Sequence, residues 1–204
     1  FAYCIELYQH YIAIGESGSG KSLAIDLYSD WQGQARQFYP SYSTDPDLQC
    51  FLGSQVVVQE LPAPQLQNTD PRLRQALLKH WRKLYKKRDP IVVVTVKGPS
   101  LIGMTPETLK RQAQLIRGKI NILSQIRGKA VETRVVLTHM DELNGFSEFT
   151  RYLRQHRTPL AIKLKDINDF VGVGETLLPY EQYLTRILTH LPGQDYMKVL
   201  TYFE

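Results

Sequence analysis

The sequence lacks most features of a secreted or membrane-spanning chain. It has only two cysteines, Cys4 and Cys50, in no spacing that fits a metal site or a disulfide framework, which favours a reducing compartment. No apolar run approaches the ~20 residues that cross a bilayer, and no signal peptide is visible. Low-complexity tracts and internal repeats are also missing. The chain begins at Phe1 rather than at methionine, so we expect a fragment whose membrane anchor, if any, lies outside it.

Positive charge exceeds negative charge by five, and the excess is unevenly distributed. Eight basic residues fall within one short stretch: Arg72, Arg74, Lys79, Arg82, Lys83, Lys86, Lys87 and Arg88. The stretch shows no regular aromatic-basic interleaving of the kind that nucleic-acid sites use, so no nucleic-acid partner is expected. We favour a solvated helix face whose basic residues suit the C-terminal end of the helix dipole. An acidic protein surface and anionic lipid headgroups are further candidate partners.

The 204 residues suit one α/β domain, with residues 166–204 as a candidate helical extension at its C-terminus. Short apolar runs rich in Val and Ile predict strands at residues 11–14, 55–59, 91–96, 134–138 and 160–164. Helical patterns fall at residues 21–31, 71–87, 106–127, 147–155 and 180–191, with Thr105 as the N-cap of the third. This alternation predicts a mainly parallel central sheet with helices on both faces. Together with the motifs described next, it predicts a P-loop NTPase fold of the GTPase-like kind.

A phosphate-binding loop is the most informative motif. Residues 15–22 read Gly-Glu-Ser-Gly-Ser-Gly-Lys-Ser and fill the pattern G-x-x-x-x-G-K-[ST]. Glycines let successive N–H groups converge on phosphate oxygens. Lys21 would reach the β- and γ-phosphates, and the Ser22 hydroxyl would ligate Mg²⁺. The predicted nucleotide-binding residues of the loop are Gly15, Gly18, Ser19, Gly20, Lys21 and Ser22.

A magnesium-associated carboxylate is expected where the strand at residues 55–59 ends. Gln59 stands at the position where we expect aspartate, and Glu60 would point to the other face of a regular strand. Glu60 serves as a metal ligand only if the strand ends there, and Pro62 favours an early end. The alternative is a solvated carboxylate at a strand end. Thr44, in a segment that resembles a switch loop, is a second candidate magnesium contact, although a turn rich in Pro, Ser and Asp needs no ligand.

A guanine-reading motif is indicated after the strand at residues 134–138. Thr138 and Asp141 match the pattern [NT]-K-x-D, whereas His139 replaces its lysine. The Asp141 carboxylate would accept two hydrogen bonds that guanine donates and adenine does not. The alternative is an aspartate that caps the next helix.

Taken together, these segments resemble the cytoplasmic GTPase-like domain of the IcmF/TssM proteins of bacterial type IV and type VI secretion systems. The resemblance covers residues 8–155 and is most specific at residues 135–149, Val-Val-Leu-Thr-His-Met-Asp-Glu-Leu-Asn-Gly-Phe-Ser-Glu-Phe, where the family reads like V-L-T-K-x-D-L-L-x-G-F-x-E-F. The family's D-T-A-G segment falls on residues 59–62 and is lost. That loss removes the magnesium-associated Asp and the glycine that senses the γ-phosphate.

The resemblance implies a cytoplasmic module of an inner-membrane complex, with a DotU/TssL-type partner and further copies of itself. We expect it to bind GTP or GDP with Mg²⁺, with ATP as an alternative, and to hydrolyse nucleotide slowly at best, with no catalytic residue assigned. Two alternatives stay open. One is a P-loop small-molecule kinase with Arg111, Arg117 and Arg127 in a phosphate-clamping lid. The other is a structural scaffold with a vestigial loop.

Overall fold

The computed structural model describes residues 8–22, 37–40, 48–52, 56–155 and 189–203. The chain forms two compact units, residues 1–139 and residues 140–204. The first carries the sheet and the phosphate-binding loop, and each unit is described below by itself. The expectation of a single domain with a C-terminal extension stays a prediction.

The first unit is built on a six-stranded sheet in the order β2-β3-β4-β1-β5-β6. Strand β1 pairs in parallel with both β4 and β5, and β5 pairs in parallel with β6. Strand β3 runs antiparallel to both of its neighbours. The strands are β1 Gln9–Gly15, β2 Gln37–Pro40, β3 Gln49–Leu52, β4 Val56–Glu60, β5 Ile91–Lys97 and β6 Thr133–Thr138. The predicted α/β class with a mainly parallel sheet is therefore confirmed.

Helices connect the parallel strands of this unit. They are α1 Ala63–Gln67, α2 Pro71–Tyr85, α3 Gly98–Ile102 and α4 Pro106–Arg127. The α4 boundaries equal the predicted ones, because Thr105 accepts a hydrogen bond from the Thr108 amide, Pro106 occupies the first turn and Gly128 ends the helix with φ +67°. Asp70 caps α2 by accepting from the Arg72 amide at 2.8 Å.

The central strands β1, β4 and β5 are largely buried, which is why apolar residues occupy most of their positions, whereas the edge strand β6 is largely exposed. On one face, Ile12, Ile14 and Val92 of the sheet pack with Leu77 and Trp81 of α2 and with residues of α4. The opposite face carries a smaller cluster of Ala13, Phe51, Val56 and Val58. Successive residues of β4 therefore alternate between the two faces, and this alternation positions the residues of the candidate site.

The second unit contains a 3₁₀ turn at Met140–Glu142 and two helices, α5 Phe146–Gln155 and α6 Gly193–Phe203. Gly145 has φ +89°, and a Cβ atom there would overlap the backbone carbonyl of Lys198 in α6. Lys198 in turn donates to Glu148 of α5 at 2.9 Å. Gly145 and Glu148, two residues of the family-like segment, thus join the helices of this unit.

Several predictions differ from the structure or fall outside its described part. The sequence analysis missed β2 and β3, and α6 begins after the predicted helix at 180–191. The predicted strand at 160–164 and most of the predicted helices at 21–31 and 180–191 lie outside the described residues. Among the residues described, no helix combines the length and apolar character needed to cross a bilayer.

Candidate phosphate-binding site

The loop between β1 and the helical residues Lys21 and Ser22 is held closely against the sheet. Gly15 ends β1, and a Cβ atom there would overlap Thr95 Oγ1 and lie 2.5 Å from Ser19 Oγ. No other residue type fits without a shift of β5 or of the loop. Gly20 has φ +75°, a conformation that glycine adopts without strain. Gly15 is therefore required by the lack of space for a Cβ atom, and Gly20 by its left-handed backbone conformation.

Two threonines outside the loop form hydrogen bonds with Ser19 inside it. The Thr95 hydroxyl lies 2.8 Å from the Ser19 hydroxyl in a buried hydrogen bond. The Thr138 hydroxyl donates to the Ser19 carbonyl at 2.8 Å and lies 3.2 Å from the Val96 carbonyl. Thr138 was proposed as part of the guanine-reading motif. In the structure its hydroxyl binds the backbone of the phosphate-binding loop. A contact of Thr138 with a nucleotide stays a prediction.

Lys21 is folded back over its own loop. Its ammonium donates to the Gly15 carbonyl at 3.0 Å and to the Glu16 carbonyl at 2.7 Å, and the side chain is 6% exposed. Burial lowers the pKa of Lys21, and the nearby Glu60 and Glu16 charges offset part of that shift. The Lys21 ammonium thus lies at the base of the loop, bound to two backbone carbonyls.

Glu60 is the carboxylate that faces the loop. Its Oε1 atom lies 3.8 Å from Lys21 Nζ, and its Oε2 atom is buried with no hydrogen-bond partner among the residues described. Glu60 pairs with Ala13 as the last residue of β4, and the Leu61 amide still donates to the Ala13 carbonyl at 2.9 Å. The strand thus ends where the sequence analysis required it to end. The role of Glu60 as a metal ligand stays a prediction.

Gln59 points to the opposite face of the sheet, toward α2. The Tyr85 hydroxyl donates to Gln59 Oε1 at 3.0 Å, and Gln59 Nε2 lies 3.5 Å from His80 Nε2. The cross-strand neighbour Cys50 also bonds to the Gln59 side chain, although burial outweighs this bond and raises the pKa of the thiol. The assignment of the expected aspartate position to Gln59 is therefore corrected, because strand alternation gives the loop-facing position to Glu60.

A cavity of about 460 Å³ opens above the loop. It is lined by the loop and by the segment that follows β4: Ser17, Gly18, Ser19, Gly20, Lys21, Ser22, Glu60, Pro62, Ala63, Pro64 and His139. His139 adopts φ +56°, which is uncommon for a residue with a side chain. The lining thus combines the glycine loop with one ammonium, three serine hydroxyls, one imidazole and one carboxylate. These groups fit a phosphate ester with a divalent cation, since the orphaned Glu60 oxygen and the Ser22 hydroxyl are both ligands that Mg²⁺ prefers.

Two further predicted site residues remain predictions. Asp141 is exposed in the 3₁₀ turn of the second unit, and its role as a guanine reader stays a prediction. Thr44 lies outside the described residues. The sequence analysis did not identify Thr95, whose only signal is a polar residue within the apolar run of β5.

Comparison with known proteins gives one family match and several distant structural similarities. A model of the IcmF-related N-terminal domain matches residues 67–159, which excludes the loop at 15–22. No curated protein matches the chain. The G domain of the T. maritima FeoB iron transporter is similar at 16% identity, with coverage of 74% of this chain and 82% of that chain and a TM-score of 0.35.

A second similar structure is an ADP-ribosylation-factor-like GTP-binding protein, the small COPII coat GTPase SAR1 from Encephalitozoon cuniculi in complex with GDP. It is 16% identical, with coverage of 76% of this chain and 87% of that chain and a TM-score of 0.29. Identities this low do not bear on ligand or activity.

Proposed function

We propose that this chain is a nucleotide-binding module of the cytoplasmic part of a bacterial secretion-system inner-membrane complex. The observation that carries nucleotide binding is the Lys21 ammonium at the base of a glycine loop, seated between the end of a central parallel strand and a helix start. A family match over residues 67–159 to the IcmF-related N-terminal domain supports the secretion-system context. Within that context the partners would be a DotU/TssL-type membrane subunit and further copies of the chain.

The proposed ligand is GTP or GDP with Mg²⁺. The loop amides and Lys21 would hold the phosphates, while Ser22 and Glu60 would hold the metal ion. Bound Mg²⁺ neutralises part of the phosphate charge. Asp141 would supply the preference for guanine over adenine.

Hydrolysis is expected to be slow or absent. Attack by water on a phosphoryl group requires a group that orients the water and positive charge that stabilises the transition state. The lining residues of the cavity include one candidate cation, Lys21, and one carboxylate, Glu60, that is already close to it. We assign no water-orienting residue and no arginine finger among these lining residues.

Thermal melting tests this proposal. GTP with Mg²⁺ should raise the melting temperature of the chain more than ATP does, and Lys21→Ala should remove both shifts. Lys110→Ala is the matched control, because Lys110 is an exposed lysine on α4. Equal shifts with GTP and ATP would remove the guanine assignment, and no shift with either would remove the ligand.

The scaffold alternative has one observation in its favour. Lys21 already has two carbonyl partners and a carboxylate nearby, so the loop is internally satisfied without an anion. A structural role predicts that Lys21→Ala lowers stability equally in the presence and absence of nucleotide. The kinase alternative is weakened, because Arg127 is bound to Asp89 at 2.8 Å rather than available for a lid.

A further inference from the structure

The C-terminal half of α2 carries a strongly basic surface. A groove of about 510 Å³ there is lined by Lys79, Arg82, Lys83, Leu84, Lys86, Lys87 and Arg88, and no acidic residue lines it. We call these seven residues the basic surface. All of its lysines and Arg82 are exposed.

An ordinary structural role for these charges is to bind the free carbonyls at the end of α2 and to complement its dipole. In this fold a different residue performs that role. Arg127, at the end of α4, donates to the Lys86 carbonyl at 2.6 Å and lies 3.3 Å from the Tyr85 carbonyl. The Tyr85 carbonyl that ends α2 and the Lys86 carbonyl that follows it are thus already bound, so the basic surface is not needed to bind them.

The nearby acidic residue is also occupied. Asp89 binds Arg127 at 2.8 Å and Lys129 at 2.9 Å, and these two partners lower its pKa, the Lys129 hydrogen bond most. No ion pair involving Lys79, Arg82, Lys83, Lys86 or Lys87 occurs in the part of the chain that the structure describes. Five positive charges on the C-terminal half of α2 and on the two residues that follow it therefore have no carboxylate within ion-pair distance in the described part of the chain.

The basic surface and the phosphate-binding loop lie toward opposite ends of the parallel strands. The loop follows the C-terminal end of β1, whereas α2 leads into the N-terminal end of β5, which runs parallel to β1. A partner bound at the basic surface would leave the cavity above the loop open. The two sites can therefore be occupied together.

We propose that the basic surface docks on an anionic lipid bilayer. Its exposed side chains are mostly lysines, compact hydrated charges that suit diffuse attraction to headgroups rather than forked hydrogen bonds. Trp81 and Tyr85, the aromatic residues of this half of α2, are fully buried and cannot stack on bases or anchor a protein interface. These features favour a charged bilayer over a nucleic acid or a structured protein partner.

Vesicle binding by the 204-residue chain tests this proposal. The wild-type chain should bind vesicles of phosphatidylethanolamine and phosphatidylglycerol, bind phosphatidylcholine vesicles far more weakly, and lose affinity as salt rises. The triple variant Lys83→Gln, Lys86→Gln, Lys87→Gln should bind the anionic vesicles about a hundredfold more weakly at low salt. The variant with arginine at the same three positions should retain binding.

A second triple variant provides the matched control. Lys110→Gln, Arg111→Gln and Arg117→Gln change exposed residues on α4 and also take the formal net charge from +5 to +2. This control should lose no more than a few-fold in vesicle affinity. Equal losses in the two triple variants would overturn the proposal, because binding would then follow net charge alone.

Two other results would also overturn it. One is unchanged vesicle binding by the Lys83, Lys86, Lys87 variant. The other is tighter binding of the wild-type chain to polyglutamate or to an RNA oligonucleotide than to the vesicles at equal salt. Circular dichroism melts of all variants should coincide with the wild-type melt, since the substituted side chains are exposed.

Discussion

The Glu60 carboxylate lies 3.8 Å from the Lys21 ammonium, and both residues are almost completely buried. The carboxylate at the end of β4 thus already lies beside the ammonium of the loop, at the place where a nucleotide would bring another negative charge. An incoming phosphate competes with Glu60 for Lys21, and the competition is relieved if a cation neutralises the carboxylate. This relationship predicts that magnesium decides whether nucleotide binds.

Substitution of Glu60 by glutamine should uncouple nucleotide affinity from magnesium. The wild-type chain should bind GTPγS at least about tenfold more tightly with Mg²⁺ than with EDTA, about 1.4 kcal/mol. Glu60→Gln should show less than about a threefold difference, and it should bind more tightly than wild type in EDTA because the repulsion is gone. Isothermal titration measures both affinities. Glu107→Gln, an exposed acid on α4, is the control, and full magnesium dependence in Glu60→Gln would refute the coupling.

Nucleotide affinity should fall at alkaline pH earlier than an ordinary lysine predicts. Burial lowers the pKa of Lys21, so its ammonium is lost as pH rises through a value below 10.5. A bound anion favours the ammonium, and binding should therefore take up a proton in that window.

Titrations of the wild-type chain and of Lys21→Arg with GTP across this alkaline pH range isolate the effect of Lys21 deprotonation. The arginine of the variant stays charged throughout this range. Deprotonation of the guanine base of GTP affects both proteins equally. The affinity ratio of wild type to variant should decline with pH. A constant ratio would show that Lys21 does not contact the phosphates.

Gly15→Ala should destabilise the first unit and abolish nucleotide binding. The added Cβ would overlap Thr95 Oγ1 and crowd Ser19 Oγ at 2.5 Å, so either the loop or β5 must shift. The expected loss is about 1–3 kcal/mol in the free energy of unfolding, measured by urea denaturation. At Gly103 a Cβ atom meets nothing within 4 Å, and Gly103→Ala should change stability by no more than about 0.5 kcal/mol. Normal GTP binding by Gly15→Ala would contradict the close contact.

Gly145→Ala should destabilise the second unit. The residue combines φ +89° with close contact to the α6 backbone, where a Cβ atom would lie 2.9 Å from Val199 Cα. Left-handed strain and overlap together should cost about 3 kcal/mol. The amides of α5 and α6 should therefore exchange hydrogen faster in Gly145→Ala than in the wild-type chain. Gly193→Ala, which meets nothing within 4 Å at the start of α6, should leave exchange rates unchanged. Equal exchange in the two variants would argue against the α5–α6 contact.

Long periodic elements could be predicted from the sequence, and short edge elements could not. The α4 boundaries follow from local signals alone, since Thr105, Pro106 and Gly128 specify its two ends. Strands β2 and β3 have four residues each, read Gln-Phe-Tyr-Pro and Gln-Cys-Phe-Leu, and lack an apolar run. They are stabilised by pairing with each other and with β4, a tertiary effect that local patterns do not encode.

The loop of the candidate site was predictable, but the residues that surround it were not. The spacing of Gly15, Gly20 and Lys21 is a local signal. Whether Gln59 or Glu60 faces the loop depends on the register of β4 against β1, in which Glu60 pairs with Ala13. Thr95 reaches Ser19 across 76 positions of sequence, a contact that only the parallel pairing of β1 with β5 creates.

Isothermal titration of GTPγS with Mg²⁺ into the wild-type chain, Lys21→Ala and Lys110→Ala tests the central claim most directly. If the loop at residues 15–22 holds the phosphates of a nucleotide, the wild-type chain and Lys110→Ala should bind with equal affinity. Lys21→Ala should bind at least about a hundredfold more weakly, about 2.7 kcal/mol. Equal affinity in all three proteins, or no binding by the wild-type chain, would contradict the claim.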